Sequence, residues 1–567
     1  MFLSDAELRN IEQWESARFI LPQFDRAEVR KRTRATPTWV HFGAGNIFRA
    51  FPAVISQRLL NAGLQESGII VAEGYDYEII DAAFSPYDDL SLSVTLKADG
   101  SIEKMIVASV VESLKLDRAG FMRLKEIFAA ESLQILSLTI TEKGYSLLRS
   151  DGLPLPDVQA DFEAGPAAPE SYMGKLAALC YHRYKNGATP LALVSMDNCS
   201  HNGTRLFEAV RRFASEWVEK GFADSGFLAY VENPACLSFP WTMIDKITPR
   251  PDDSVAMMLS EAGFESVGGT VTSKNTYIAP FVNSEESEYL VIEDAFPNGR
   301  PPLEKAGVMI TRRETVEKAE RMKVCTCLNP LHTGLAVFGC LLSYKRISDM
   351  MKDIALQKLV RKIADEGLPV VSDPEIISPA EFIDTVINVR LPNPFIPDTP
   401  QRIATDTSAK ISVRFGETIK AYISSNTPGS SDAPHSSTQE SSDKPDNSSP
   451  ESSDKPDNSN APDVNGLIAI PLVLAGWCRY LVGIDDDGNA FELSPDPMLT
   501  ELRLLFANLI PGSEDDYEQV MSQMLSNKAI FGADLYAAGL TGRINEYFAM
   551  MMKGPGAVRK TLKSVLY

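Results

Sequence analysis

The chain has 567 residues, enough for at least two domains at about 100–200 residues each. Its 44% hydrophobic and 23% charged residues are the balance of an ordinary globular protein, which excludes a fibrous or wholly disordered class. With Lys+Arg at 55 and Asp+Glu at 76 the net charge is −21, which argues against nucleic acid or an anionic membrane as the main partner and leaves room for a local basic pocket.

The first residues, Met1-Phe-Leu-Ser-Asp-Ala-Glu-Leu-Arg9, lack the charged-then-apolar design of a targeting segment. No apolar run reaches the roughly 18–20 residues of a membrane span. Seven cysteines, an odd number in mostly apolar surroundings, read as reduced thiols of a cytoplasmic protein. Cys325 and Cys327 near His332 lack the spacing of a structural zinc site, so no metal is expected.

Residues 1–35 read as polar helix followed by turns. Trp39-Val-His-Phe-Gly43 is a short apolar strand, followed by Gly43-Ala44-Gly45-Asn46-Ile-Phe-Arg49 and an amphipathic helix to about Asn61. Ser67-Gly-Ile-Ile-Val-Ala-Glu73 is a second buried strand. Strand, glycine turn, helix and strand begin a dinucleotide-binding unit, in which glycines let the backbone approach a pyrophosphate. Phe48 stands where the third glycine of the usual pattern falls, so a plain strand-to-helix turn explains the same residues. Glu73 and Asp76, at the end of the second strand, are candidate acids for the adenosine ribose and would favour NAD over NADP.

Further strands are expected at 91–96, 104–111, 133–140 and 191–195. The third ends in Thr141-Glu142-Lys-Gly-Tyr145 and the fourth in Met196-Asp197-Asn198-Cys-Ser-His201. Polar residues at the carboxyl ends of buried strands are where open α/β sheets contact ligands, though Asx-type turns give the same composition. The segment 239–249, with Asp245 and Lys246, reads alone as a loop with an exposed ion pair.

Beyond about residue 305 the pattern turns helical, with helices at 314–322, 330–342, 347–353, 356–366, 379–388 and from Arg402 to about 424. The expected division is a Rossmann-type domain over 1–305 and a mostly helical domain over 306–567. The 425–465 stretch carries the repeat Ser-Ser-Asp-Lys-Pro-Asp-Asn-Ser at 441–448 and 452–459. It is nearly free of apolar side chains and reads as a disordered insertion.

Just past the boundary lies Glu320-Arg-Met-Lys323-Val-Cys-Thr-Cys-Leu-Asn329-Pro330-Leu-His332. Asn329 is a good helix cap and Pro330 a good first helical residue. Asn329 and His332 are three apart and can face one way. A lysine in a dry site can serve as acid/base, and an amide and an imidazole can donate to a developing alkoxide. A capped core helix with a satisfied histidine would look the same locally.

Taken in order, these motifs resemble the polyol-specific long-chain dehydrogenases, the mannitol dehydrogenase and hexuronate reductase family. The likeness rests on the segments at 43–49, 141–145, 195–198, 243–249 and 291–301 and the Lys323 stretch. Arg402 with Lys410, and Gly476-Trp477 with Arg479-Tyr480, add to it. It implies a metal-independent, NAD-dependent oxidoreductase transferring hydride between nicotinamide and a ketose or hexuronate carbonyl.

Lys323 matches the family's general acid/base, Asn198 and Asn329 its oxyanion amides, His332 its substrate-orienting histidine and Glu320 a glutamate linked to proton passage. Asp245, Arg402 and Lys410 match residues lining the substrate cleft. Gly43, Ala44, Gly45, Asn46, Arg49, Glu73, Asp76, Thr141 and Glu142 are expected on the cofactor. Five residues, Val324 to Leu328, separate Lys323 from Asn329, where the family usually has four.

The motifs look closest to the members that interconvert D-fructuronate and D-mannonate. Tagaturonate, mannitol and arabinitol remain open as substrates, as does a non-catalytic NAD-binding role. A cytoplasmic monomer or small homo-oligomer, without nucleic-acid or membrane partners, is expected.

Overall fold

Six apolar runs of the first half become parallel strands of one sheet: β1 (Trp39–Phe42), β2 (Ile69–Glu73), β3 (Val110–Lys115), β4 (Ile135–Leu138), β5 (Leu191–Ser195) and β6 (Leu237–Ser238). The computed structural model describes residues 1–251, 253–425, 463–513 and 516–567. The tandem repeat and nearly all of the expected 425–465 insertion therefore lie outside the described residues. Strand order is β3-β2-β1-β4-β5-β6. The chain thus winds outward in both directions from β1 and β4, and the crevice at their carboxyl ends is where such sheets bind ligands.

Every residue of β1, β2, β4 and β5 is buried, as parallel strands covered on both faces require. Alternation then sorts side chains to two cores. The helix expected after the glycine turn is split into α1 (Asn46–Ala50) and α2 (Pro52–Asn61). Pro52 supplies no N–H and pushes Phe51 out of helical geometry. Trp39, Ile69 and Val71 pack with Val54, Ile55 and Leu59 of α2. Val40, Phe42 and Ile70 pack with α3 (Arg118–Ala129), α4 (Tyr172–Lys185) and α5 (Asn202–Glu219).

Two readings of the first half change in the structure. The 104–111 run is not one strand: Ile102–Val107 pairs antiparallel with Ser91–Leu96 in a separate four-stranded sheet, and β3 begins at Val110. The chain changes sheets because Ala108 N–H is taken by Gln57 and Ser109 Oγ donates to the Ala53 carbonyl, at 2.9 and 2.7 Å. The 239–249 segment is not an exposed loop. Thr242–Asp245 is a buried strand antiparallel to Tyr289–Glu293, and Lys246, nearly covered, pairs with Glu288 at 2.9 Å. Local sequence shows no partner strand, so it cannot show that burial.

The chain forms two compact units. The first holds Met1–Glu320 with Pro374–Ile377 and Asn393–Pro397; the second holds Arg321–Asp373, Ser378–Pro392 and Asp398–Tyr567. Met309–Thr311 adds a parallel strand beside Tyr289–Glu293, which keeps the chain in the first unit past residue 305.

Within the second unit, α7 (Asn329–Leu341) packs against α8 (Ile354–Gly367) and α9 (Ala469–Leu481), and α9 against α10 (Thr541–Met551). α6 (Arg313–Arg321) leads into α7, and the helical run Arg313–Leu341 is 29 residues long. Contrary to the expectation from sequence, this run, alone among the described residues, meets the length and hydropathy of a membrane span. Since 78% of its apolar window is buried within the protein, it reads as a core helix.

Among the described residues, three turns of the second unit are wide π-helices: Met322–Cys327, Val386–Arg390 and Ser412–Gly416. The second and third interrupt helices that periodicity draws as unbroken over 379–388 and 402–424.

Candidate active site

On the first unit, the glycine turn closes onto β4. Gly43 has φ +103°, and a side chain there would bring Cβ to 2.2 Å from the Thr139 carbonyl oxygen, so only glycine fits. The Ala44 N–H donates to Glu73 Oε2 at 2.8 Å. Gly45 caps α1, with open space where its side chain would be, and Gly45, Asn46 and Ile47 form the accessible rim. A backbone that lies close to β4 on one side and is open on the other suits a pyrophosphate. Phe48, in place of the third glycine, is fully buried and stacks on His41 at 4.2 Å.

The other expected cofactor residues are placed unevenly. Glu73 is buried and holds the turn: besides Ala44, its carboxylate accepts from Tyr75 N–H at 2.8 Å and Asp76 N–H at 3.1 Å. Asp76 is buried and accepts from Thr272 Oγ1 at 2.6 Å. Arg49 is fully buried, its guanidinium donating to the Ala279 and Pro280 carbonyls at 2.9 and 2.8 Å; burial lowers its pKa to about 10. These three side chains fasten the nucleotide end of the sheet together. Glu142 is exposed and pairs with Arg205 at 2.9 Å.

Thr141 sits at the carboxyl end of β4 with φ +67° and ψ 159°, a strained conformation for a β-branched residue. Asp197, at the end of β5, holds it there. Its carboxylate accepts from Ile140 N–H and Thr141 N–H, both at 2.9 Å, and from the Tyr145 hydroxyl at 2.5 Å. Burial raises the Asp197 pKa, while these bonds oppose the rise. Asp197 is therefore a site-building residue that the sequence reading left among ordinary turn acids. Asn198, next in the chain, is exposed. Asp245 ends a buried strand, and Glu320 accepts a hydrogen bond from Ser200 Oγ.

On the second unit, Lys323 is 2% exposed within the π-helical turn, and Leu328 N–H donates to its carbonyl at 3.1 Å. That five-residue step widens the turn between Lys323 and Asn329, and α7 resumes after it. Asn329 lies in the first turn of α7 rather than capping it; Leu328 is the N-cap and Pro330 sits in the first turn.

His332 follows on α7. Its Nε2 is 3.2 Å from Asp398 Oδ2 but off the line a hydrogen bond needs, so among the described residues this nitrogen has no hydrogen-bond partner. Burial first, and then the charges of Arg414, Arg390 and Arg402, push the imidazole pKa down to about 3. The ring is neutral near pH 7, with a nitrogen free for a ligand.

Arg402 is paired with Asp398, and Lys410 Nζ donates to the Thr405 carbonyl at 2.6 Å. Burial, with Arg414 nearby, lowers the Lys410 pKa. The structure thus gathers His332, Arg402 and Lys410 with three residues that sequence reading missed: Asp398, Arg390 and Arg414. Arg414 lies in what periodicity draws as ordinary helix, and Arg390 lies two residues past the expected end of another.

A doubly wound parallel sheet with a glycine turn at its switch point is the architecture of dinucleotide-dependent oxidoreductases. Comparison with known proteins makes the class specific. The mannitol dehydrogenase Rossmann domain matches residues 37–305, and the mannitol dehydrogenase C-terminal domain matches 315–431. D-mannonate oxidoreductase of Thermotoga maritima is 49% identical over 572 aligned positions, covering 100% of this chain and 99% of that protein. Mannitol 2-dehydrogenase of Neosartorya fischeri is 28% identical, over 88% of this chain and 86% of the relative.

Among solved structures, a substrate-free D-sorbitol dehydrogenase superposes with a TM-score of 0.75 at 22% identity, each chain covered in full. Pseudomonas fluorescens mannitol 2-dehydrogenase, in a ternary complex with NAD and D-mannitol, gives a TM-score of 0.66 at 23% identity, over 100% of this chain and 99% of that one. These two likenesses establish the fold. The chain belongs to the mannitol dehydrogenase family.

Proposed function

We propose that this chain is an NAD-dependent oxidoreductase that interconverts D-fructuronate and D-mannonate. The observation that carries the reading is the 49% identity to a D-mannonate oxidoreductase along the entire chain. The group of arginines around His332 supports a substrate that carries a carboxylate, which a polyol lacks. The turn at Gly43–Gly45 would hold the pyrophosphate of NAD, and the acids at the end of β2 favour an unphosphorylated ribose. Bound NADH supplies the hydride that reduces the carbonyl carbon.

The residues of this chain then manage charge and protons. Lys323, held in a dry turn, delivers the proton to the developing alkoxide. The amides of Asn198 and Asn329 donate to that oxygen, and neutral His332 orients the hydroxyls through its unpartnered nitrogen. Glu320 is the group linked to proton passage, and Asp245, Arg402 and Lys410 line the substrate. In the oxidative direction Lys323 must be neutral to accept the proton, so D-mannonate oxidation should rise toward alkaline pH. A cytoplasmic location and a monomeric or small homo-oligomeric state belong to the same reading.

A substrate panel tests it: D-fructuronate, D-tagaturonate, D-fructose and D-xylulose, each with NADH and NADPH. The expected result is the highest kcat/KM with D-fructuronate and NADH. A higher value with a neutral ketose would replace the sugar-acid reading, and no turnover on any of them would leave a non-catalytic nucleotide-binding protein.

A further inference from the structure

Arg414 is a cation of the second unit to which the family pattern assigns no task. It sits in the π-helical turn Ser412–Gly416, which packs against the π-helical turn holding Lys323. Its Nη1 donates to Thr333 Oγ1 at 2.5 Å, and Thr333 Oγ1 donates in turn to the Asn329 carbonyl at 2.9 Å. The guanidinium is thereby tied to the first turn of α7, one residue from His332, and it is the nearby charge that acts most on that imidazole. It is half-buried, and burial lowers its own pKa to about 10.

Its surroundings differ from those of Arg402 and Lys410. Arg402 is neutralised by Asp398, and Lys410 is held by the Thr405 carbonyl. Among the described residues no carboxylate pairs with Arg414, whose one side-chain bond is to a neutral hydroxyl. A partly desolvated cation without a counter-charge is costly to keep, and a guanidinium offers parallel donors that match a carboxylate. Its partial exposure leaves it reachable by a ligand.

We propose that Arg414 is the specificity-determining residue that binds the carboxylate of the sugar acid, with Thr333 fixing its direction. This rests on the sugar-acid reading above and assigns the recognition of charge to a residue other than Arg402 or Lys410. Steady-state reduction of D-fructuronate by NADH, in wild type, Arg414→Met and Arg414→Lys, tests it, alongside NADH titration and thermal melting.

The expected result for Arg414→Met is a KM for D-fructuronate raised about 10- to 100-fold, with kcat changed much less and NADH affinity and Tm kept. Arg414→Lys should recover part of the KM. A KM within twofold of wild type in Arg414→Met would overturn the proposal. So would a joint loss of kcat, NADH affinity and Tm in both variants, which marks a structural role. Wild type that fails to reduce D-fructuronate at all would refute the sugar-acid reading itself, a result read before either variant is made.

Discussion

Lys323, Asn329 and His332 fall within ten residues of sequence, and their chemistry could be read there. Their environments could not. Lys323 is covered in a widened turn, and His332 is kept neutral by burial and by three arginines from elsewhere in the chain. If Lys323 is the acid/base, Lys323→Ala should lower kcat by roughly 100- to 10,000-fold while NADH binding is retained, as read by turnover and by nucleotide fluorescence. Near-normal turnover would remove Lys323 from the mechanism. Gly43 is a residue whose type is dictated by a neighbour, the Thr139 carbonyl. Glu73 shows the opposite, since a carboxylate in the expected position for ribose is also the clamp on the glycine turn.

At the scale of elements, the five residues between Lys323 and Asn329 are accommodated by a wide turn. A π-helical turn takes one more residue than an α turn, so the helix before it and α7 after it keep their own faces. Deleting Val324 should let the turn close to α geometry and leave a folded enzyme with measurable turnover. Deleting Ala336, fully buried in α7, should instead rotate the apolar face out of register and abolish folding. Far-UV circular dichroism and turnover check both variants. Loss of fold on removing Val324 would mean that the wide turn is required in its own right. Hydrophobic periodicity drew the helices at 379–388 and 402–424 as continuous because a π turn leaves no mark in the order of apolar residues. Arg414 lies inside one such turn, and Arg390 at the end of the other, past the expected helix end.

At the scale of the whole molecule, two largely desolvated histidines tie stability to pH. His41 is fully buried between Ser137 Oγ and Thr139 Oγ1, at 2.6 and 2.9 Å, and burial lowers its pKa to about 3. His332 is lowered to a similar value. Between about pH 6.5 and those values the unfolded chain binds protons that the folded chain refuses. The stabilising difference is therefore complete above pH 6.5 and is lost as pH falls, at up to about 1.4 kcal/mol per pH unit for each histidine. Thermal melting between pH 7.5 and 5, above the range of most carboxylates, should show Tm falling with pH and falling less in His41→Gln. Equal slopes in the two proteins would remove His41 from that account.

The sequence alone determined the α/β half, its glycine turn, the helical half and the local run of Lys323, Asn329 and His332. Each of these depends on residues close together in the chain, whose periodicity or spacing carries the signal. Only the tertiary structure decided that the 104–111 run serves two sheets and that 242–245 is a buried strand. It also placed Asp197 across two strand ends and ranged Arg390, Arg402, Arg414 and Asp398 about His332. Those outcomes depend on partners far away in sequence, and burial and charge at a site are sums over all such partners.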